Sequence, residues 1–515
     1  MHERLPRPSN VDAMDMWVDE AIWGHRLYDE QTPWLCLMEF FNVLVAEHEA
    51  GRAFVETGPN TLKYKPKARM HLRNILFNNP KISLIATKYK DNSKEAWAQW
   101  FKEMEARKAG VNSDVNFRYL EERFPSFEDF YLVVQFLRRT TIEGENNKRW
   151  TSQFVFPYGP DCLYEDLDVK GNSDRRFFAR TGELLYLMLT RSGKGPLILD
   201  KLQQSVLNKE NKFNRLVAAL QPKDMSQERT SIREGAYLPY LSLPEYQALA
   251  DDWLRLLDSN IPKFDVFPHL VNITGLHMII YALNRAREVL GYREKLTFVI
   301  EIVAPKKTII RELSADCYAE HNNLSKRAVE AYIRKIEETE EWKELNNVPQ
   351  AIEFLQKKFI WPKDVDELEE DGFRGNTPEQ LLEFFIEKAI KRHKQHVDNF
   401  HRVWGKEVGF SSRRGARRIR YAPQDLFLKS LVYCVVPKRM EFQEFLEELY
   451  DRYGFIIGER QAHKFAQYGQ ADLQAFAENA KRLEQRLASM GLLRRLSDAC
   501  AYVENPFGKR EEEAG

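Results

Sequence analysis

Cysteine is scarce in this chain, and the five present (Cys36, Cys162, Cys317, Cys434 and Cys500) lie far apart with no C-x-x-C pair. That spacing supports neither a zinc knuckle nor a disulfide framework, and it fits a reducing compartment. Net charge is missing as well. Lys+Arg and Asp+Glu both number 77, so no global field draws the molecule onto nucleic acid or anionic lipid, and any such contact must be local. No apolar run reaches the ~18 residues of a membrane span. The opening MHERLPRPSNVDAMDMW carries charges and prolines where a signal peptide needs an apolar stretch, so the expectation is a cytoplasmic protein, neither exported nor membrane-bound.

Catalytic signatures are absent too. Ser192-Gly193-Lys194-Gly195 fails as a phosphate loop, because Met188 stands where the first glycine belongs and Gly195 where Ser or Thr must follow the lysine. His269 and His277 have no partner at metal-ligand spacing and read as packing residues, while His393, His396 and His401 read as the basic wet face of a helix. No catalytic residue, metal site or cofactor is expected.

What is present is a large apolar complement: hydrophobic residues make up 43%, aromatic residues 12% and charged residues 30% of 515 positions. That balance builds cores, and the length suggests roughly three or four domains. Apolar residues recur at helical spacing nearly throughout. The expected fold is mainly α, a multidomain helical protein with a few short strands and a C-terminal winged-helix-like domain. The expected segments are a helical N-terminal domain at 1–149, opening with an arm and one short helix. A central helical domain follows at 150–292, then a strand and helix-turn-helix-like region at 293–400, a basic linker at 401–420 and the winged-helix-like domain at 421–507. Thr32-Pro33 ahead and Gly51 behind punctuate the first long helix. Around Ser497-Asp498-Ala499 the tail alternates apolar and polar residues, as a two-stranded wing would.

Five places carry local chemistry. Trp150–Arg191 joins an aromatic run to an apolar helix expected from Asp174, on one face of which Arg176, Arg180 and Glu183 fall together. Charges in such a setting either pair internally or grip an anion. Lys63, Lys65, Lys67 and Arg69 alternate, which in a strand gives one cationic side. LTFVIEIV, residues 296–303, is the clearest strand, and its Glu301 invites comparison with metal-dependent nucleases, although Val303 stands where their lysine would. Thr308–His321 and Lys326–Glu341, separated by Asn322–Ser325, have a helix-turn-helix outline. The densest cationic patch is SSRRGARRIRY, where Arg413, Arg414, Arg417, Arg418 and Arg420 sit among glycine and serine, either as a solvated linker or as a loop that orders on a phosphate backbone.

Three blocks, TPWLCLMEFFNVL, DRRFFARTGELLYLMLTR and NAKRLEQRLASMGLLRRLSDACAYVENP, resemble proteins of bacterial defence islands, in particular a component of the methylation-associated anti-phage defence system. The resemblance implies work beside a modification methyltransferase and ATPase or kinase components in restricting phage, and it transfers no catalytic residue. The resulting expectation is a non-catalytic subunit that binds DNA, partner subunits or both. Arg413, Arg414, Arg417, Arg418 and Arg420 are its nucleic-acid contacts, and Arg176 with Arg180 is a second anion site. The alternatives are a metal-dependent nuclease subunit and a helix-turn-helix transcription regulator.

Overall fold

The computed structural model describes residues 4–9, 14–109, 116–142, 149–168, 178–223, 231–304, 308–415, 417–466, 473–497 and 500–508. The chain is mainly helical with a few short strands. It divides into two compact units, one made of residues 1–33, 188–198 and 236–515, the other of 34–187 and 199–235.

The smaller unit is helical, with one two-stranded ladder pairing Thr141–Ile142 with Phe154–Val155. Its helix Pro33–Glu49 starts and stops where the punctuation requires, and Gly51 adopts a left-handed φ of +71° just past its end. Ser93–Arg107 and Phe127–Arg139 are capped by Asn92 and Ser126, whose side chains accept from the backbone N–H groups of Glu95 and Asp129. Between them Trp97, Trp100, Phe127 and Phe130 pack edge to face and tilted, with Trp100 fully buried. The expected strand at residues 63–69 reduces to one bridge, Tyr64 to Arg233. Lys63 and Lys65 are exposed, Lys67 is half-buried and Arg69 turns inward, so the four cations form no common edge.

In the larger unit Val266–Val289 is the central helix. By length and composition it is apolar enough to cross a membrane, and 83% of its most apolar window is buried inside the fold. It packs on Asp19–Trp23, Pro244–Asp258, Ile309–Arg334, Phe400–Glu407 and Asp425–Val435. Gly275 permits the approach of Phe400–Glu407, since a Cβ there would lie 2.3 Å from Val408 Cγ1. His269 and His277 are indeed packing residues: His277 Nε2 meets Asp252 Oδ2 at 2.7 Å, and His269 Nδ1 meets Ser430 Oγ at 2.8 Å.

The expected helix-turn-helix is not there. Ile309–Arg334 is one helix of 26 residues with no turn at Asn322–Ser325. Asn323 donates to the carbonyl of Ala319, four residues back, and Leu324 is fully buried, so packing overrides the turn preference of the two asparagines. The expected eight-residue strand is likewise short. Only Phe298–Val299 pairs, in parallel, with Phe455–Ile456. Gly454, just before that second strand, has φ +74°, and a Cβ on it would sit 2.1 Å from the Leu296 carbonyl oxygen.

From Asp425 onward the order is helix Asp425–Val435, strand Arg439–Glu441, helix Phe442–Tyr453, strand Phe455–Ile456, helices Glu459–Ala466 and Leu473–Ser489, then strands Leu493–Ser497 and Cys500–Glu504. The last strand lies in the middle of a three-stranded antiparallel sheet, flanked by Arg439–Glu441 and Leu493–Ser497. Asn505 locks the sheet's exit by donating to the carbonyls of Tyr433 and Val436 at 3.2 and 2.8 Å.

The N-terminal arm is a strap within this unit, buried from Met16 to His25. Its helix Asp19–Trp23 is enclosed along its whole length. Arg392 donates to Asp19 and Glu20 at 3.0 and 2.7 Å, and His393 Nδ1 meets Asp19 Oδ1 at 2.8 Å. His393 therefore does not belong to a wet face. It is fully buried, stacks on Trp23 at 5.5 Å, and faces inward with Leu382, Ile386 and Ala389 of its own helix. Burial pushes the Asp19 carboxyl up, but His393 and Arg392 outweigh it and hold the group below the usual carboxylate range.

Removing one member of a buried ionic cluster leaves the others uncompensated, at a cost of roughly 3–5 kcal/mol. Asp19→Ala is therefore expected to lower the urea midpoint clearly, whereas Asp15→Ala, which loses only the exposed pair with Lys363 (side chains 70% and 60% exposed), leaves it unchanged. Equal midpoints for the two variants would remove the strap from the account of stability.

Candidate functional site

The arginine-rich segment forms a hairpin. Ser411–Ser412 pairs antiparallel with Arg420–Tyr421, and the turn between them passes through Gly415 at φ +69°. Its stem is held from behind. Tyr421 donates its N–H to Ser314 Oγ at 3.0 Å, and its carbonyl accepts from Glu301 N at 2.8 Å. The Tyr421 hydroxyl lies between His321 Nδ1 at 2.7 Å and His401 Nε2 at 2.8 Å. Burial pushes both histidines down, His321 well below the ordinary range and His401 to about 3. Both rings are then neutral near pH 7, and the hydroxyl donates to one while accepting from the other. Phe410, at the foot of the other strand, stacks on Phe427 and Phe455 at 5.2 and 5.3 Å.

Beneath the turn sits a buried carboxylate shared by two arginines. Glu301 and Arg420 have fully enclosed side chains. Glu301 Oε1 accepts from Arg311 Nε at 2.8 Å and Oε2 from Arg420 Nε. Arg420 then donates to the Arg414 carbonyl at 3.0 Å and, more weakly, to that of Ser412 at 3.4 Å, so it props the turn from below. Arg311 also donates to the Ala304 carbonyl at 3.0 Å.

These contacts divide the five expected nucleic-acid residues. Arg413, Arg414, Arg417 and Arg418 are exposed on the turn, whereas Arg420 is core and unavailable for direct contact. Arg413 Nε donates to the Arg417 carbonyl at 3.0 Å. Arg418 reaches Asp316 at 2.6 Å and Glu312 at 3.7 Å, both on the helix Ile309–Arg334. Between this helix and the turn lies a cleft of about 490 Å³, lined by Arg311, Glu312 and Ala315 on one side and Gly415, Arg417, Arg418 and Arg420 on the other.

Sequence reasoning missed Arg311, the carboxylates that restrain Arg418, and the structural use of Glu301. Glu301 is no open acid: both oxygens are taken by guanidinium groups, which overturns its comparison with a nuclease carboxylate. Among the described residues, no group of three or more His, Cys, Asp or Glu is placed to hold a metal ion.

The second expected anion site does not open. Arg176 lies outside the described residues. Arg180 is fully buried at φ +89° and donates to Glu183 and to the Glu234 carbonyl, each at 2.8 Å. Glu183 also accepts from the Tyr64 hydroxyl at 2.8 Å. This is an internal ion pair of the smaller unit. Ser192–Gly195 is a helix C-terminal turn as expected, with Gly193 at φ +73° and Lys194 paired to Asp251.

The chain is mainly helical and carries an arginine hairpin over a buried ionic floor. Residues 379–504 match the family model described as methylation-associated defense system protein MAD7, and the chain resembles a component of that system. The matched span is roughly a quarter of the chain; it includes the arginine hairpin and ends with the final strand. No curated protein and no solved structure matches the chain.

Acid sensitivity of the larger unit is the expected consequence of its buried histidines. Burial, aided by Lys429, pushes His269 down to about 4, and burial pushes His401 to about 3. Unfolded histidine takes its proton near pH 6.5, so stability falls as pH drops from about 6.5 towards 4, by roughly 1–2 kcal/mol per histidine at pH 5. Denaturation midpoints measured between pH 7 and 5 are expected to decline, and less steeply in His401→Gln, which keeps a hydrogen-bonding side chain that does not titrate. An unchanged slope in that variant would show that His401 is not the titrating group.

Proposed function

We propose that the chain is a non-catalytic component of an anti-phage defence system that binds DNA through the exposed arginines of the 411–421 hairpin. The observation that carries this reading is the hairpin itself. Four exposed guanidinium groups are displayed on a turn whose stem is fixed by buried contacts, so little backbone freedom remains to be lost there when a phosphate backbone is engaged. The family match supports the defence assignment and includes these four residues. Other components of that system are the expected partners.

We read residues 421–507 as a winged-helix domain. Support comes from the order helix, strand, helix, strand, two helices, hairpin, with the hairpin's second strand at the centre of the three-stranded sheet, although the strand Phe455–Ile456 pairs outside the region with Phe298–Val299. The helix Leu473–Ser489 precedes the hairpin, where the recognition helix of such a domain stands. Lys481 and Gln485 lie on its exposed face and Arg494 is exposed on the following strand. The nuclease alternative would have to free Glu301 from two arginines, and the regulator alternative loses the helix-turn-helix outline at Thr308–Glu341 to the continuous helix Ile309–Arg334, which leaves it the winged-helix reading alone.

Replacing Arg413, Arg414, Arg417 and Arg418 together with alanine is expected to weaken binding to a duplex of arbitrary sequence. The slope of log K against log salt should flatten by roughly one unit for each arginine that contacts phosphate. Affinity and slope equal to those of the unaltered protein would take DNA out of the proposal and leave assembly with partner subunits as the hairpin's role.

A further inference from the structure

We propose that the cleft between the helix Ile309–Arg334 and the arginine hairpin receives a terminal phosphoryl group, the dianion at the end of a nucleic-acid strand or of a free nucleotide. Where the source is a strand end, the inference rests on the DNA-binding reading above and deepens it. Where the source is a free nucleotide, it stands alone.

Shape is the first argument. The cleft, half open to solvent, offers about 490 Å³, within the range of sites that hold small ligands. Internal phosphates of a duplex lie along a convex ridge and suit an open row of cations. A concave site with guanidinium groups on both walls suits a group that projects, as a terminal phosphate does.

Charge is the second. Arg311 enters from the helix, Arg417 and Arg418 from the turn, and Arg420 forms the floor, against one lining carboxylate, Glu312. Glu301 supplies one negative charge to two arginines, so the floor keeps a net positive charge. Glu301 also takes Nε of Arg311, and the Ala304 carbonyl takes Nη2, which fixes the plane of that guanidinium; among the described residues no partner is recorded for Nη1. Arg311 and Glu312 lie in the first turn of a 26-residue helix, at the positive end of its dipole.

Competition is the third argument, and it separates a terminal from a bridging phosphate. Arg418 is held by Asp316 and Glu312 in exposed pairs of little strength, with its side chain 48% exposed. Asp316 and Glu312 together offer Arg418 two negative charges, so a singly charged bridging phosphodiester is outmatched. A terminal phosphoryl, with close to two charges and three acceptor oxygens on one centre, can match them and draw Arg418 across. No aromatic side chain is among the lining residues, so the site selects the phosphoryl group and not a base.

The test uses the full chain and 20-base-pair duplexes identical except for their ends: 5′-phosphate, 3′-phosphate or hydroxyl only. At least one phosphorylated duplex is expected to bind about tenfold more tightly than the hydroxyl-ended one. Arg311→Gln brings that ratio to about one, and Arg417→Ala serves as a second variant if the first fails to fold. Calorimetry with ADP examines the free source: binding lost in the variant, without any end preference, assigns the cleft to a nucleotide. Equal affinity for all three duplexes together with no ADP binding overturns the inference while leaving the DNA reading intact. If no duplex binds, the DNA reading falls and ADP alone decides: binding lost in the variant upholds the cleft, and its absence overturns it.

Discussion

One enclosed carboxylate sets the geometry of the arginine hairpin. Glu301 lies two residues past the short parallel strand, Arg311 in the first turn of the following long helix, and Arg420 on the returning strand of the hairpin, more than a hundred residues later. Three charges out of water are tolerable only when each is bonded, and breaking such a set costs far more than its formation gains. The arrangement is therefore better understood as a constraint on position than as a source of stability. It allows one placement of the helix start and one of the hairpin stem. Because two guanidinium groups answer one carboxylate, it also leaves positive charge beneath the turn.

The same short strand ties the hairpin to the C-terminal region. Phe298–Val299 pairs with Phe455–Ile456, and Asn479 on the helix Leu473–Ser489 accepts from Ile302 N while donating to the carbonyls of Ile300 and Ile457. A single buried amide thus satisfies three backbone groups on two segments, which matters where the ladder itself is two residues long. Phe298 packs edge-on against Tyr421, Phe410 and Phe455, so one aromatic cluster backs both the hairpin and the parallel pair.

What could be read from the sequence was local punctuation. The helix Pro33–Glu49 keeps to its Thr32-Pro33 and Gly51 punctuation, and Gly51 takes left-handed backbone just past its end. The final hairpin was legible from its alternation. What escaped depends on partners distant in sequence. Asn322 and Asn323 look like a turn, but one bonds back within the helix and the other lies 3.4 Å from His401. His393 looks solvated because its partner Asp19 is 374 residues away. That the chain passes between the two units more than once is equally invisible, because the contacts that define each unit join segments far apart in sequence.

The arginines show why composition located the patch but not its roles. Along an exposed strand, alternation would separate inward from outward residues, yet Arg420 and Tyr421 are adjacent and both enclosed. One reaches Glu301 and the other the paired histidines, because the strand is covered on both faces. Arg418, two residues earlier, lies in the turn and points to the acids of the long helix. Charge density alone therefore cannot tell a supporting arginine from a displayed one; the distinction requires knowing which carboxylate each can reach. The family match begins at residue 379 and so takes in the hairpin but neither Glu301 nor Arg311. The displayed cations and the floor that orients them come from separate stretches of the chain, and only their meeting in the fold turns a basic segment into a cleft.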